Sequence, residues 1–400
     1  MAKYDVSGLF YKKFETDRFI NALNVGDIRE ASMRSARTKV RNKLKSAFTE
    51  AKSNIGYLSR LNEDQRTAFQ NIEPRFWPQG SFAYGTQNMP AKTPPQQIDI
   101  DDGVYLPIEA FRDKPIVLKE IFFEIVDAAL KNLAEEEGWE FKDNDNCARV
   151  ELDFETHLDV PLYVIPVSRF DDLQKAMGRI AINEAYLSDQ YLDTFKRYLS
   201  EEEVYLAIRP SPHWIKSDPI RIQEWFEREQ ALYGSRLTRV CRYFKAWRDA
   251  TWEKGGPSSI ALMICIWHVF NDRRIPFYSD SEAVYYVCKN LPGLLRSKVY
   301  NPVSNHEEII FPRGISASEH QDIVSLTEVF CDEITKSLSD GVSSLEVVET
   351  FIRHWGERLP KRPDWVISAS VAAAGIVKST KAAPQPKPNV TGMRSGNRSA

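Results

Sequence analysis

The sequence predicts an α+β protein built from two structural units, one organised around a β-sheet and one mainly helical. Runs of alternating apolar and polar residues, typical of strands, are concentrated between residues 74 and 168. Helical periodicity dominates from about residue 211 to residue 376. A chain of 400 residues is also too long for one compact core. We therefore expect an N-terminal helical region at 1–60, a sheet-containing core at 61–210, a helical lobe at 211–376 and a disordered basic tail at 377–400.

Two long helices are expected in the first half of the chain. Apolar residues recur at helical spacing between Val40 and Ala51, which predicts a long helix in the N-terminal region. A second amphipathic helix, from Pro115 to Glu137, is predicted to end at Gly138. The first helix carries the basic residues Arg37, Lys39, Arg41, Lys43 and Lys45. Because the net charge of the chain is only −3, we interpret them as a solvated helix face rather than a nucleic-acid footprint.

The most informative motif is Asp99-Ile100-Asp101. On a strand, side chains alternate between faces, so both aspartates project to one side while Ile98 and Ile100 face a core. Two carboxylates so placed can share divalent ions, as nucleotidyl transfer requires. The upstream Gly80-Ser81 turn would supply a phosphate cradle, because a small residue lets the backbone approach closely. A surface loop with two solvated aspartates is the alternative interpretation.

A third carboxylate is expected from a neighbouring strand, because two side chains alone cannot hold two ions. Residues 157–164 alternate so that Leu158 and Val160 fall on one face, with His157 and Asp159 on the other. Asp159 is therefore the predicted third ligand and the candidate acceptor of a 3′-hydroxyl proton. The alternative is an ordinary strand-edge aspartate beside Pro161.

The run from Arg149 to Phe154 alternates in the same way and is predicted to pair with that strand as a hairpin. Arg149 then lies on the polar face. It would contact a bound nucleotide or, equally, form a surface ion pair with Glu151 or Asp153.

The helical lobe contains a second candidate site. Residues from about 236 to 253 have the periodicity of a helix that Gly255-Gly256 would end. Pro257-Ser258-Ser259 then opens an apolar run, 260–270, that predicts a buried helix. The second serine and Lys245 could grip a polyphosphate from the side opposite the carboxylates. Simple helix capping and a solvated lysine are the alternatives.

These motifs resemble the bacterial cGAS/DncV-like nucleotidyltransferases in their order and spacing. The matching blocks are Pro74–Phe82, Asp99–Gly103, His157–Pro161, Lys245–Ala250 and Gly255–Ser259. The resemblance covers about residues 35 to 315. It implies a polymerase-beta-like nucleotidyltransferase core, with a mixed sheet and flanking helices, joined to a helical lobe. The active site is expected in the cleft between them.

The resemblance also implies functional residues. By similarity, Asp99, Asp101 and Asp159 are the catalytic residues and bind two Mg²⁺ ions, with Mn²⁺ as an alternative. The donor pocket is lined by Gln79, Gly80, Ser81, Phe82, Ala83 and Tyr84, the last placed to stack on a base. Further nucleotide contacts fall on Arg149, Asp218, Lys245 and Ser259. His306 stands where an aspartate that reads guanine is expected, which leaves the base preference open.

The implied activity is that of a cyclic dinucleotide synthase. It would join ATP and GTP by two 3′-5′ transfers, release pyrophosphate and give 3′,3′-cyclic GMP-AMP or a related messenger. The resemblance further implies bacterial anti-phage signalling through an effector that senses the product. Two alternatives remain open: a nucleotidyltransferase that makes linear oligonucleotides or modifies a small acceptor, and a non-catalytic nucleotide- or RNA-binding scaffold.

Cysteine and histidine usage indicates the setting in which the chain works. The five cysteines are scattered and odd in number, which is typical of reduced thiols in the cytoplasm. The six histidines never fall beside cysteines at zinc-finger spacing, so we expect no requirement for DNA through a zinc module. No apolar run approaches a membrane span and the start lacks a secretion signal, so no membrane association is expected.

The composition changes abruptly after Val377. The last residues include five basic side chains, three prolines and no acidic residue, which predicts disorder. This tail could fold back electrostatically on the acidic body of the protein. The resemblance implies a second role, in which ubiquitin-like conjugation machinery acts on the C-terminus.

Overall fold

The computed structural model describes residues 2–107, 115–165, 204–209, 214–217, 219–273, 276–304, 308–341 and 343–370. Elements are numbered here over those ranges. Asp218, His306 and the tail at 377–400 lie outside them.

Within these ranges, the first unit is built on an eight-stranded mixed sheet. Its strands are β2 (Arg75–Gln79), β3 (Ile98–Pro107), β4 (Glu140–Asn144), β5 (Cys147–Glu151), β6 (Thr156–Val160), β7 (Leu162–Ile165), β8 (Tyr205–Ala207) and β9 (Trp214–Lys216). β6 and β7 follow each other across Pro161, and both run parallel to β3, while the other pairings are antiparallel. β2 pairs with β3, β5 with β6, and β8 with β7.

Two long helices cover the apolar face of this sheet, and both were predicted from the sequence. α3 spans Asp27–Ala51 and α7 spans Pro115–Glu137, followed by Gly138 in the left-handed region at φ 72°. Val40 and Leu44 of α3 share one core with Ile98 and Ile100 of β3, as the alternation of the strand requires. Short helices precede and follow α3: α1 (Ser7–Phe10), α2 (Phe19–Ala22), α4 (Ile55–Leu58), α5 (Glu63–Gln70) and α6 (Gly80–Tyr84).

The second unit is mainly helical and has its own aromatic core. Trp247 stacks on Phe330 with 4.2 Å between ring centroids, and Trp355 packs edge-on against Phe330 at 5.1 Å. The helices are α8 (Pro219–Tyr233), α9 (Ser235–Thr251), α10 (Ser259–Asn271), α11 (Asp280–Arg296), α12 (Ala317–Asp340) and α13 (Ser344–Trp355). The described residues also form two small strand pairs: β1 (Tyr4–Asp5) with β12 (Ile367–Ser368), and β10 (Val299–Tyr300) with β11 (Ile309–Phe311).

The structure differs from the expectations at three boundaries. The sheet continues through β9, past residue 210, because β9 pairs with β8. Residues before α3 contribute Leu9 and Phe10 to the core of the helical unit. α9 ends at Thr251 rather than at Gly255-Gly256, since Trp252 has extended backbone angles and its ring packs against Trp247.

No helix within the described ranges is both long and apolar enough to cross a lipid bilayer.

Candidate active site

The candidate site is a row of polar residues on one face of the sheet. Backbone register places Gln79 of β2 beside Asp101 of β3, Asp101 beside Asp159 of β6, and Asp159 beside Arg149 of β5. Residues in register on neighbouring strands project to the same face. Asp101 and Asp159, which come from separate stretches of the sequence, are therefore immediate neighbours. Both lie on the sheet face opposite the core that contains α3 and α7.

Asp99 lies one pleat along β3, in register with His157 of β6. The Nε2 atom of His157 contacts Oδ1 of Asp99, and its Nδ1 atom lies 3.0 Å from Oε1 of Gln97. The Asp99 side chain is 52% exposed in the cleft, with protein on its other sides. Partial burial of Asp99 raises the pKa of its carboxyl. The hydrogen bond and charge of His157, together with the charges of Lys245 and Arg149, outweigh this effect, so the pKa of Asp99 lies below its ordinary value.

Asp101 has the opposite balance. Burial raises the pKa of its carboxyl to about 7, and the neighbouring charges of Asp99 and Asp159 act in the same direction. Gly80 lies directly against it, with φ 65°, and a Cβ on Gly80 would fall 2.0 Å from Oδ2 of Asp101. Glycine is therefore required at this position both for its backbone angle and for space. The charges of His157 and Lys245 act in the other direction but do not outweigh burial and the two carboxylates.

Asp159 is already paired. Nε of Arg149 donates to its Oδ1 at 2.6 Å and Nη2 donates to Oδ2 at 2.7 Å, which forms a bidentate ion pair. Across the described part of the chain, no three histidine, cysteine, aspartate or glutamate side chains are gathered closely enough to hold an ion as they stand. The donor chemistry nevertheless fits a hard divalent cation, because three carboxylates lie on one face and Asp101 is crowded by negative charge.

The helical unit supplies the opposite wall. Lys245 of α9 is partly buried, which lowers its pKa, as does the charge of Arg248, whereas Asp249, Asp99 and Asp101 act against that shift. Nη1 of Arg248 donates to Oγ of Ser259 at 2.7 Å, and its Nε donates to Oδ1 of Asp249 at 2.9 Å. Ser258, rather than Ser259, caps α10, since its Oγ accepts from the amide of Ala261. Of the predicted pair, Lys245 therefore lies near Asp99 and Asp101, whereas Ser259 contacts Arg248 and is absent from the cavity lining.

A cavity of about 230 Å³ separates the two walls. Its lining combines carboxylates, cations and amide side chains: Ser81, Gln87, Asn88, Pro90, Pro95, Gln96, Gln97, Ile98, Asp99, Arg149, His157, Lys245, Arg248 and Asp249. Four residues predicted from the sequence, Ser81, Asp99, Arg149 and Lys245, are among them.

Gln79 lies on the same sheet face as the carboxylates but is buried and does not line the cavity. Its side chain is buried, where Nε2 donates to the hydroxyl of Tyr105 at 2.8 Å and Oε1 accepts from the hydroxyl of Tyr163 at 3.1 Å. A Cβ on Gly103 would fall 2.1 Å from Nε2 of Gln79, so glycine at 103 makes room for this arrangement. These hydrogen bonds of the Gln79 side chain hold the end of β2 in place, directly before Gly80.

The short helix α6 begins beside Asp101 and contacts both units. Ser81 opens toward the cavity, while Phe82 lies under the guanidinium groups of Arg34 and Arg37, 5.4 and 5.3 Å from its ring centroid. Tyr84 packs edge-on against Phe226 of α8, with 6.1 Å between centroids. Burial, and then the charge of Asp101, raise the pKa of Tyr84. Ala83 belongs to the same short helix.

Several cavity residues were not predicted from the sequence. The alternation of residues 157–164 predicts that His157 lies on the polar face but gives it no role, and its position two residues before Asp159 is the available signal. Gln96 reaches the carbonyl oxygens of Asp249 and Trp252 in the other unit, at 2.7 and 2.8 Å. No local pattern indicates that contact, because it joins residues more than 150 positions apart. Arg248 belonged to a matching block but carried no prediction.

The amino-acid sequence is similar to those of known proteins. A curated relative, the cyclic GMP-AMP synthase of Vibrio cholerae serotype O1, is 34% identical over 336 residues, which cover 81% of this chain and 77% of that protein. The chain belongs to the DncV-like cyclic GMP-AMP synthases. Two family profiles agree: the DncV-like nucleotidyltransferase domain matches residues 74–163, and the cyclic GMP-AMP synthase C-terminal domain matches residues 234–368.

Other DncV-like proteins extend the comparison along the chain. A cyclic GMP-AMP synthase of Escherichia coli is 29% identical over 422 residues, covering 94% of this chain and 96% of that protein. The crystal structure of Vibrio cholerae DncV with the linear intermediate 5′ pppA(3′,5′)pG superposes with a TM-score of 0.77 at 27% identity, covering 92% of this chain and all of that one. The complex of DncV with GTP and 5MTHFGLU2 gives a TM-score of 0.78 at 27% identity, with the same coverage.

Membership in the DncV-like family fixes the enzyme class. This chain is a nucleotidyltransferase of the cyclic dinucleotide synthase type. The family resemblance, the enzyme class and the polymerase-beta-like core with a helical lobe, all expected from the sequence, are confirmed.

Proposed function

We propose that this protein joins ATP and GTP into 3′,3′-cyclic GMP-AMP, or a closely related dinucleotide, by two successive 3′-5′ transfers that each release pyrophosphate. The observation that carries the proposal is the placement of Asp99, Asp101 and Asp159 on one sheet face, across a cavity from Lys245 and Arg248. Carboxylates on one wall and cations on the other match the needs of a triphosphate bound with divalent ions. A DncV variant was solved with ATP and GTP, which supports these substrates.

The residues divide the chemical work between the two walls. Asp99, Asp101 and Asp159 would hold two Mg²⁺ ions, or Mn²⁺, which when bound neutralise phosphate charge and favour in-line displacement at the α-phosphate. Asp159 is proposed to accept the proton of the attacking 3′-hydroxyl. Lys245 and Arg248 would attract the polyphosphate from the opposite wall, and the Ser81 hydroxyl would donate to a phosphate oxygen.

The two transfers are proposed to use the same pocket in turn. After the first, the linear dinucleotide would reverse its orientation so that its free 3′-hydroxyl attacks its own triphosphate. The solved complex of DncV with a linear intermediate supports such a sequence. Positioning supplies much of the rate in reactions of this kind.

A cellular role follows from the family resemblance. We place the product in bacterial anti-phage signalling of the CBASS type, where a downstream effector would sense it and ubiquitin-like conjugation machinery would act on the C-terminus. The five free, buried cysteines favour the reducing cytoplasm as the compartment.

The proposal is tested with the double substitution Asp99→Ala/Asp101→Ala. Labelled ATP and GTP would be incubated with Mg²⁺, treated with phosphatase and separated by thin-layer chromatography. We expect the wild type to give a phosphatase-resistant product and the double variant to lose about 10³-fold or more of the rate, because charge stabilisation is removed. The control Asp153→Ala changes an exposed aspartate outside the cavity.

Two outcomes would count against the proposal. Nucleotide incorporation that persists in the double variant would mean that the carboxylates are not the site. A product that phosphatase degrades would instead favour a linear oligonucleotide synthase.

A further inference from the structure

Arg149 occupies the place of a cation at Asp159. The guanidinium fork engages both carboxylate oxygens, at 2.6 and 2.7 Å, and the two side chains are only 26% and 15% exposed. The two residues are in register on neighbouring strands, so the pair spans a single strand spacing. In this arrangement Asp159 is neutralised by the protein itself.

This pairing conflicts with the role proposed for Asp159. A divalent ion bound to its oxygens would lie within a few ångströms of a fixed positive charge, and like charges at such distances repel strongly in a partly buried site. A carboxylate held in a bidentate ion pair is also a poor acceptor for a hydroxyl proton. Asp159 therefore becomes a ligand or a base only when Arg149 moves away.

The cavity offers Arg149 a second partner of the same geometry. Arg149 lines the cavity together with Ser81 and Lys245, where a triphosphate would lie. A guanidinium fork matches two phosphate oxygens as well as it matches two carboxylate oxygens. The carboxylates that face it, Asp159 and Asp99, carry the negative charge that bound divalent ions would compensate.

We propose that Arg149 exchanges Asp159 for a nucleotide phosphate, so that nucleotide binding uncovers the third carboxylate. The inference rests on the proposed function for the identity of the ligand. Its consequence is a coupling of the two binding events: each ligand, phosphate or cation, removes the competitor of the other. Arg149 is thus a positioning residue that keeps the metal site incomplete until a substrate is present.

A double-substitution cycle on metal binding tests the exchange without turnover. Mn²⁺ binding in the absence of nucleotide would be titrated by electron paramagnetic resonance for the wild type, Arg149→Gln, Asp159→Asn and the combination. Removing any nearby positive charge strengthens cation binding in general, and that general effect is also present when Asp159 is asparagine. Direct competition exists only when Asp159 is present.

The expected result is that Arg149→Gln tightens Mn²⁺ binding about fivefold or more with Asp159 present, and clearly less in the Asp159→Asn background. Equal changes in both backgrounds would overturn the exchange. Wild-type binding no tighter than that of Asp99→Asn/Asp101→Asn would overturn the proposed metal site itself, and the inference with it.

A second arm uses nucleotide and no metal. In EDTA, Asp159→Asn should tighten binding of a non-hydrolysable ATP analogue, because the carboxylate no longer competes with phosphate for Arg149. Arg149→Lys keeps the charge but lacks the fork, so it should lose most of this gain. A gain of equal size in Arg149→Lys/Asp159→Asn would attribute the effect to charge alone and overturn the exchange. Circular dichroism of each variant confirms that it is folded.

Discussion

At the scale of single residues, Asp99 and Asp101 show how strongly surroundings divide two similar side chains. They are separated by one position on β3, yet His157 favours the ionised form of Asp99, whereas burial and two carboxylates favour the neutral form of Asp101. The sign of each effect on stability follows from linkage between proton binding and folding.

For Asp101, the folded pKa of about 7 lies above the ordinary value of 3.8. The folded protein therefore keeps a proton that the unfolded chain releases, and stability falls as pH rises between about 4 and 7. Asp101→Asn should raise the stability of the metal-free protein at pH 8 by about 2 kcal/mol, with allowance for water in the cleft. Thermal unfolding in EDTA measures this gain, which should shrink as the pH is lowered toward 4.

Asp99→Asn is the matched control, because the expected change has the opposite sign. The pKa of Asp99 is lowered, so its charge contributes stability above its ordinary pKa that is lost as pH falls through the folded value. Removing the charge should lower the melting temperature in EDTA at pH 8. Shifts of the same sign in both variants would contradict the electrostatic description of this strand.

The sequence predicted these carboxylates because alternation on a strand is local. Asp99, Asp101 and Asp159 each lie within a short run whose period of two shows the polar face. The partner of Arg149 was not predicted, since Glu151 and Asp153 lie nearer in sequence while strand register brings Asp159 beside it. Side-chain pairing across strands depends on register, and register is set by the whole sheet.

At the scale of elements, a buried ion pair joins α3 to β3 behind the active site. Nε of Arg41 donates to Oδ2 of Asp102 at 2.6 Å and Nη2 donates to Oδ1 at 2.5 Å, while the Asp102 side chain is fully buried. Asp102 follows Asp101 and points to the opposite face, so the pair fixes the strand that carries the carboxylate.

Arg41→Met should destabilise the protein by about 3–5 kcal/mol, because it leaves a buried carboxylate without its partner. Arg41→Met/Asp102→Leu should recover much of that loss, since neither charge remains. Urea unfolding followed by tryptophan fluorescence measures both. The exposed pair of Lys336 and Asp332 is the control: Lys336→Met should leave the urea midpoint unchanged, because solvent screens both charges. A double variant no more stable than the single one would argue against this explanation.

Helices were predicted well where they are long, and less well at their ends. The prediction of a helix at about 236–253 matches α9, but Gly255-Gly256 serves the following loop. A Cβ on Gly256 would fall 2.8 Å from the Trp252 ring, so the glycine accommodates a tertiary contact. The three-residue strands β8 and β9 are too short to show a period, which explains why the sequence did not extend the sheet to them.

At the scale of the whole molecule, the N-terminal segment packs in the helical unit, although the sheet unit follows it directly in the sequence. Leu9 and Phe10 lie in the helical core, β1 pairs with β12, and the guanidinium of Arg18 stacks 3.2 Å from the ring centroid of Trp365. The chain then enters α3, which packs in the other core. Four-residue helices have no amphipathic period, so the sequence indicated helix here but not its partner.

Phe10 tests this organisation because its ring joins the segment to two helices, α9 and α13. Its ring stacks on Tyr243 at 4.5 Å between centroids and packs edge-on against Phe351 and Trp355, at 5.8 and 5.6 Å. Phe10→Ala should cost about 3–5 kcal/mol, and the loss should be local to the helical unit. Hydrogen exchange should rise in α9 and α13 and stay unchanged in α7, which lies in the other core. Phe14→Ala, at a side chain that is 92% exposed, should alter neither.

Since α9 carries Lys245 and Arg248, selective loosening of that helix would mean that the N-terminal segment supports the cationic wall of the active site. Equal loss of protection in α7 would instead mean that the two cores unfold as one.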